Sequence, residues 1–506
     1  MRCIVKNRPA GLRLRSAALI GALAAAAALV LFAPSLVAGA ASSRTAATSP
    51  LAGDLTTYDY GNTRSGDDPV DPHIAGLSAA PTWTATLNGA EFGEPLILGG
   101  RAYVATEGDS VYGLNATTGH VLWKLTVGRP VPISVVDSAP TLGSSCGNIN
   151  PLGITGTPVI DPVSGELFVA EETELPGPAS WRRVRHWLVA ISLTTHHELW
   201  HRDIDPPHPN TSSSYYIAAE QQRPALTLLD GRIYAELGGL AGDCGQYHGY
   251  VVSLSEAGTG ALGSYEVPTQ REGAIWETNG ALVSASGDLY VATGNGSSNT
   301  IADFDEGNSV VELSPTLRRL GLWAPGDWVQ LNDDDWDLGS SGPIEVPGTT
   351  LLFVAGKPAN NGDFGYLMSE GHLEGIGRGA FTGSVCTGGS GAFGADAAAV
   401  VGRRTLVFAP CGNGTVALAI HVAAKTFTRA WVASSGGPNG SPIVAGGVVW
   451  ALNWNAGQLD GMNPATGHVF IERSTAGLPH FATPAVGDGR VLVPTSSGVE
   501  AFTTLG

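Results

Sequence analysis

The sequence predicts an all-β protein, an eight-bladed β-propeller whose last blade is closed by an N-terminal strand. Three observations carry that prediction. A strand–turn–strand pattern recurs, most clearly as Ser110-Val-Tyr-Gly-Leu-Asn-Ala-Thr-Thr-Gly-His-Val-Leu-Trp123 and again from Gln458 to Phe470. Eight proline- or glycine-marked openers punctuate the chain between residues 94 and 484. The composition, with 69 glycines, 32 prolines and 14% charged residues, suits many short strands joined by turns.

Each copy of the repeat has its own physical logic. Val111 and Gly113 alternate with Tyr112 and Leu114, the period of a strand. Asn115-Ala-Thr-Thr-Gly119 supplies a turn, with glycine where a positive φ is needed. Worn copies run from His186 to Trp200 and from Ser309 to Arg318. Trp123 and Trp200 end their strands as large apolar plugs. A unit of this size cannot bury its faces alone, so it must stack on neighbours.

The openers are Glu94-Pro95, Thr157-Pro158, Arg223-Pro224, Thr278-Asn279, Gly342-Pro343, Gly394-Ala395, Ser441-Pro442 and Thr483-Pro484. Their spacing of 42 to 66 residues fits a four-stranded blade plus loops. The last unit, Phe481 to Phe502, shows only three strands, while Pro81-Thr-Trp-Thr-Ala-Thr-Leu87 is a strand without a blade. Pairing the two removes an exposed sheet edge. Seven blades is the alternative, should the worn unit near Ala395 be miscounted. Residues 76–506 make the propeller, and residues 41–75 read as a flexible lead-in.

Residues 1–40 read as a signal peptide. Arg2, Lys6, Arg8, Arg13 and Arg15 precede the apolar run Ala17–Phe32, and Ala38-Gly39-Ala40 offers a cleavage site. The expected location is extracellular, with a cell-surface anchor by an uncleaved signal as the alternative. Losing those five cations leaves 22 basic against 45 acidic residues, a net charge near −23. Such a surface repels nucleic acid and anionic lipid. No span is expected after signal removal. Four cysteines remain, Cys146, Cys244, Cys386 and Cys411. An even count in an oxidising compartment implies two disulfides. Of the three pairings, Cys146–Cys244 and Cys386–Cys411 are favoured, because each links loops of nearby repeats. The chain has no C-x-x-C, H-E-x-x-H or C-x-x-C-H motif.

The tryptophan-ended repeat resembles that of the quinoprotein dehydrogenase-like propellers, the PQQ repeat. That superfamily also includes non-catalytic propellers, among them a bacterial outer-membrane assembly factor. Several segments are similar, in the same order, to those of PQQ-dependent alcohol and polyvinyl-alcohol dehydrogenases. Gly153-Ile-Thr-Gly-Thr-Pro-Val-Ile160 precedes Glu171, Glu172 and Glu174, any of which the resemblance offers as the calcium glutamate. Gly273-Ala-Ile-Trp276 resembles the segment bearing the tryptophan floor beneath the quinone. Tyr290 to Gly296 resembles the Thr-Gly-Asn motif, which makes Asn295 the calcium asparagine. Asp303 or Asp305 lies where the base aspartate is implied, with Asn308 competing for that slot. Asn332 to Gly339 resembles the Asp-rich segment opening the following blade, and Lys357 the quinone-contacting lysine. No two cysteines are adjacent, unlike the pair often found beside the cofactor, and no haem segment is present.

The chemistry of such a set is coherent. An aromatic floor stacks a tricyclic quinone. Ca²⁺ takes hard oxygens and polarises a carbonyl. A carboxylate accepts the alcohol proton, and a lysine offsets charge on the ring. From the residues alone, Trp276 also suits blade packing, Asn295 a turn, residues 303–306 a solvated loop, and Lys357 an inter-blade salt bridge. Two functions therefore follow. One is a PQQ- and Ca²⁺-dependent dehydrogenase of an alcohol, polyol or sugar that needs a separate electron acceptor. The other is a non-catalytic propeller binding a polymer, a cell-wall component or an extracellular protein.

Overall fold

A computed structural model describes residues 53–140, 142, 146–206, 217–357, 364–433 and 437–506. The signal segment and residues 41–52 lie outside them. Eight sheets are present, and their innermost strands begin at Leu96, Val159, Thr227, Leu282, Ile344, Ala397, Ile443 and Ala485. Each begins within four residues of a predicted opener. The protein is an eight-bladed β-propeller. Blades are numbered 1 to 8 in that order. Trp83–Thr86 pairs antiparallel with the C-terminal strand Gly498–Leu505, Trp83 opposite Ala501, and completes blade 8.

The core lies between neighbouring blades. One cluster joins Val104 and Val111 of blade 1, Val169 and Val189 of blade 2, and Leu492 and Val499 of blade 8. The tryptophans fasten blade to blade on the outside. Trp83 lies on Gly119 of blade 1, where a Cβ would fall 2.5 Å from the indole, and its Nε1 donates to Ala116 O at 3.0 Å. Trp431 repeats this on Gly467 and Pro464 of blade 7. Trp200 covers Gly258 in the same way. In blade 2 the turn glycine is replaced by His196, held at φ +59°, and its ring stacks on Trp123 at 5.1 Å. Turn glycine and strand-ending tryptophan are thus two halves of one joint. Both disulfides have the predicted pairing, Cys146–Cys244 with Cα atoms 5.8 Å apart and Cys386–Cys411 with 5.5 Å.

The described part of the expected lead-in is ordered. Residues 55–66 cross the middle of the ring and bond to all eight innermost strands. Leu55 exchanges backbone bonds with Ile97, and Thr56 O accepts from Ile160 N. Asn62 reaches Leu228 O and Val283 N. The carbonyls of Thr63, Ser65 and Gly66 accept from Glu345, Ala398 and Val444. Tyr60 Oη bonds both backbone groups of Val486. Tyr58, Asp59 and Arg64 are fully buried. Each partner lies just after a blade opener, so this segment plugs the channel below the level of the openers. Its polar, aperiodic sequence reads as loop because each of its bonds goes to a different sheet.

Candidate functional site

Above the plug the openers ring the axis, and two cavities lie one over the other. The lower is small, walled by Tyr58 of the plug, Thr157, Thr278, Thr483 and His480. The upper holds about 210 Å³ of water-accessible space, with Trp276, Tyr247, Asp335, Asp337 and Lys357 in its wall. Arg223 and Phe481 line both and so divide them. The Arg223 guanidinium sits 4.3 Å from the Phe481 ring centroid and 5.9 Å from that of Trp276. Phe481 adopts φ +64°, uncommon for so bulky a residue. That conformation places its ring between Arg223, Trp276 and Phe393.

Lys357 follows Leu351–Ala355, the second strand of blade 5, and Asp337 follows the helix Trp328–Asp333. They meet twice. Lys357 N donates to Asp337 O at 3.0 Å, and Nζ lies 2.5 Å from Asp337 Oδ2 and 2.7 Å from Asp335 Oδ1. Nζ is also 5.7 Å from the Trp276 ring centroid. Burial would lower the Lys357 ammonium, but Asp337 and Asp335 outweigh it and hold it up at about 12. Burial raises the Asp337 carboxyl, with Lys357 and Asn295 N opposing the rise. Burial lowers Arg223 to about 10, against the pull of Glu107. His480 falls to about 3 through burial and the adjacent Arg223, so it is neutral.

The Thr293-Gly294-Asn295 segment is shaped by this pair. A Cβ on Gly294 would meet Asp337 Oδ1 at 2.6 Å and Trp276 Nε1 at 3.1 Å, so only glycine lets them approach. Asn295 N donates to Asp337 Oδ1 at 2.6 Å, and its Nδ2 to Asp335 Oδ1 at 2.9 Å. The Cys146–Cys244 disulfide braces the opposite wall. It joins the loop carrying Asn148 to the one carrying Leu240 to Asp243, all lining the cavity.

Of the residues expected from sequence, Trp276, Lys357 and Asn295 come together here. Asp303 does not join them. It is exposed on a short turn and accepts from Thr300 Oγ1 at 2.6 Å. Asp305 is buried but shapes its own loop, accepting from Ser298 N at 2.8 Å. Asn308 donates to Asn295 Oδ1 and Asn332 Oδ1 and accepts from Leu338 N. The carboxylates at the cavity are instead Asp335 and Asp337. The glutamates lie along the blade 2 strand Glu166–Glu174 with separate partners. Glu174 pairs with Arg129 at 3.0 Å. Glu172 faces buried His186 at 3.7 Å, and His186 in turn bonds Asp205 at 2.8 Å. Glu171 packs against Gly128, and burial raises it to about 8.

Residues 73–236 match the family model for PQQ-type repeats described as outer membrane protein assembly factor BamB. That stretch, 164 of the 506 residues, is similar to PQQ-type repeats. No curated protein matches it. Among solved structures, this propeller is similar to quinohemoprotein alcohol dehydrogenase ADHIIG from Pseudomonas putida HK5. The two are 14% identical, with a TM-score of 0.63 over 89% of this chain and 80% of that one. The quinohemoprotein alcohol dehydrogenase from Comamonas testosteroni is 16% identical, with TM-score 0.61 over 89% and 80%. BamB from Moraxella catarrhalis is 12% identical, with TM-score 0.53 over 85% and 100%. At these identities the likeness is one of fold, and it spans catalytic and assembly proteins alike.

The site of this propeller suits a flat polyanionic ring. An indole face is flanked by Arg223 and Lys357, with Tyr247 and Phe481 as further walls. It does not suit the calcium set. Asn295 Oδ1 is taken by Asn308, both carboxylates hold Lys357, Glu172 and Glu174 face His186 and Arg129, and Glu171 lies outside the cavity lining. Among the described residues no three His, Cys, Asp or Glu side chains are placed to hold a metal.

Proposed function

We propose that this is a secreted quinoprotein-like oxidoreductase that oxidises an alcohol, polyol or sugar at the Trp276 cavity and passes electrons to a separate acceptor. The observation that carries the reading is the convergence of Arg223, Trp276, Asp337 and Lys357, from the openings of blades 3, 4 and 5 and the second strand's end in blade 5, on one cavity above the plug. PQQ, when bound, supplies a two-electron acceptor. Trp276 would be its floor, and Arg223 and Lys357 would hold its carboxylates. Asp337, with Oδ1 fixed by Asn295 N and Oδ2 by Lys357, would take the hydroxyl proton of the alcohol. The plug keeps water from entering along the axis from below. Two disulfides, and no helix among the described residues long and apolar enough to cross a membrane, support an extracellular site of action.

The test is a titration of the protein with PQQ, read by tryptophan fluorescence, followed by dye-linked oxidation of an alcohol panel. Saturable quenching that disappears in Trp276→Ala, with turnover that disappears in Asp337→Asn, is expected. No quenching at micromolar PQQ would reject the reading. A second function, a non-catalytic binding propeller, is favoured by one observation, the engagement of Asn295, Glu172 and Glu174 with protein partners. Retention of a wall polymer or secreted protein, without PQQ uptake, is its expected result.

A further inference from the structure

The calcium that the resemblance implies has no seat in this site, and the hydrogen bonds show why. A carboxylate only accepts, so Asn295 must turn its Nδ2 toward Asp335, and its Oδ1 then faces Asn308 Nδ2 at 3.0 Å. Asn308 is fixed in turn. Its Nδ2 also donates to Asn332 Oδ1 at 2.7 Å, and its Oδ1 accepts from Leu338 N at 2.7 Å. Each amide thus has one orientation that satisfies its partners. Turning Asn295 Oδ1 to a metal would strip one buried hydrogen bond and one half-buried one.

The carboxylates are committed as well. Asp335 and Asp337 together grip Lys357 Nζ at 2.7 and 2.5 Å. A divalent ion between them would have to expel the ammonium or sit beside it, against like-charge repulsion. Glu172 and Glu174 share one face of their strand and face His186 and Arg129, while Glu171 takes the other face, away from the cavity lining.

Resting on the function proposed above, we infer that the site works without a divalent metal. The ammonium of Lys357, fixed by Asp335 and Asp337, is the built-in cation that, with Arg223, holds an anionic planar ligand on Trp276. The ammonium is positioned before the ligand arrives, so no third component is needed to balance ligand charge.

The experiment uses the full protein, stripped with EDTA, and PQQ as probe. Binding is followed by tryptophan quenching and equilibrium dialysis, in EDTA and with added calcium or a lanthanide. Calorimetric injection of calcium alone runs alongside. The expected result is PQQ affinity equal in both buffers within about twofold and no calcium heat. Lys357→Ala should weaken PQQ about tenfold or more, and Lys357→Arg should retain most of the affinity. Binding that requires the metal, or stoichiometric calcium uptake, overturns the inference and leaves the oxidoreductase reading standing. Equal affinity in Lys357→Ala also overturns the inference alone. Absence of PQQ binding in every buffer overturns both. Thermal unfolding of each variant, with the arginine variant as the conservative control, separates lost affinity from lost fold.

Discussion

Arg64, buried in the plug, and Lys357, half-buried at the upper cavity, are both cations near the propeller axis, yet they are held in opposite ways. All five N–H donors of Arg64 find neutral oxygens. Nε reaches Ala281 O, Nη1 reaches Thr57 Oγ1 and Tyr58 O, and Nη2 reaches Leu226 O and Thr227 Oγ1. It lines neither of the two cavities described, and the carboxylates of Asp59, Glu94 and Glu236 act on it through space. Lys357 is held by two carboxylates and borders a cavity. A saturated guanidinium can do nothing but brace. An ammonium gripped from one side remains available to an incoming anion. The difference separates a structural cation from a functional one.

Substitutions can break this contrast. Arg64→Met should be the most damaging change, costing about 3–5 kcal/mol in denaturant unfolding, because it leaves buried carbonyls and carboxylates without their cation. Replacing Cys146 and Cys244 by serine should cost about 2–4 kcal/mol and weaken ligand binding, since the bridge joins two walls of the cavity. Gly294→Ala should cost about 1–3 kcal/mol, and more in affinity than in stability, by pushing Asp337 from Trp276. Lys357→Met should lower stability least, by about 1–2 kcal/mol, while removing most ligand affinity.

Acidity sharpens the same comparison. Burial raises Glu94, Glu107, Glu171 and Asp396 to about 8 and Glu236 to about 7. A carboxyl raised on folding binds its proton more tightly in the native state. Its contribution is full below the unfolded value near pH 4 and is lost as pH rises toward 8. His186, lifted to about 10 by Asp205 and Glu172 against burial, contributes fully below about pH 6.5 and loses that contribution through pH 10. Melting temperature should therefore fall steadily from about pH 4 to pH 9. Ligand affinity at the cavity should stay nearly flat from about pH 5 to 9, because Lys357 holds its charge to about 12. A melting temperature that rises with pH would contradict the burial described for these carboxyls.

The ring was legible because its signals are local. Openers, turn glycines and strand-ending tryptophans sit at fixed offsets within each unit, and the pairing of Trp83–Thr86 with the last blade followed from counting strands. The cysteine pairs followed from their placement in neighbouring repeats. The plug was illegible for the converse reason. Residues 55–66 bond to eight different sheets, so no periodicity reports their burial. At the site, the Asp-rich segment from Asn332 to Gly339 hides one buried carboxylate, Asp337. The signal that would have found it was Lys357, a cation in an apolar strand that needs a counter-charge across the blade interface. Period-two alternation also sets Glu171 on the face opposite Glu172 and Glu174, so the three could never serve as equivalents.

The crossing segment ties the chain's beginning to its end. Tyr58 waits for Thr483, Tyr60 for Val486 and Trp83 for Ala501, sequence separations of more than 400 residues. Nothing made early can settle until the ribosome has almost finished. Contacts so distant slow folding, and a prematurely terminated product would carry a bare sheet edge and an open hub, ready prey for quality-control proteases.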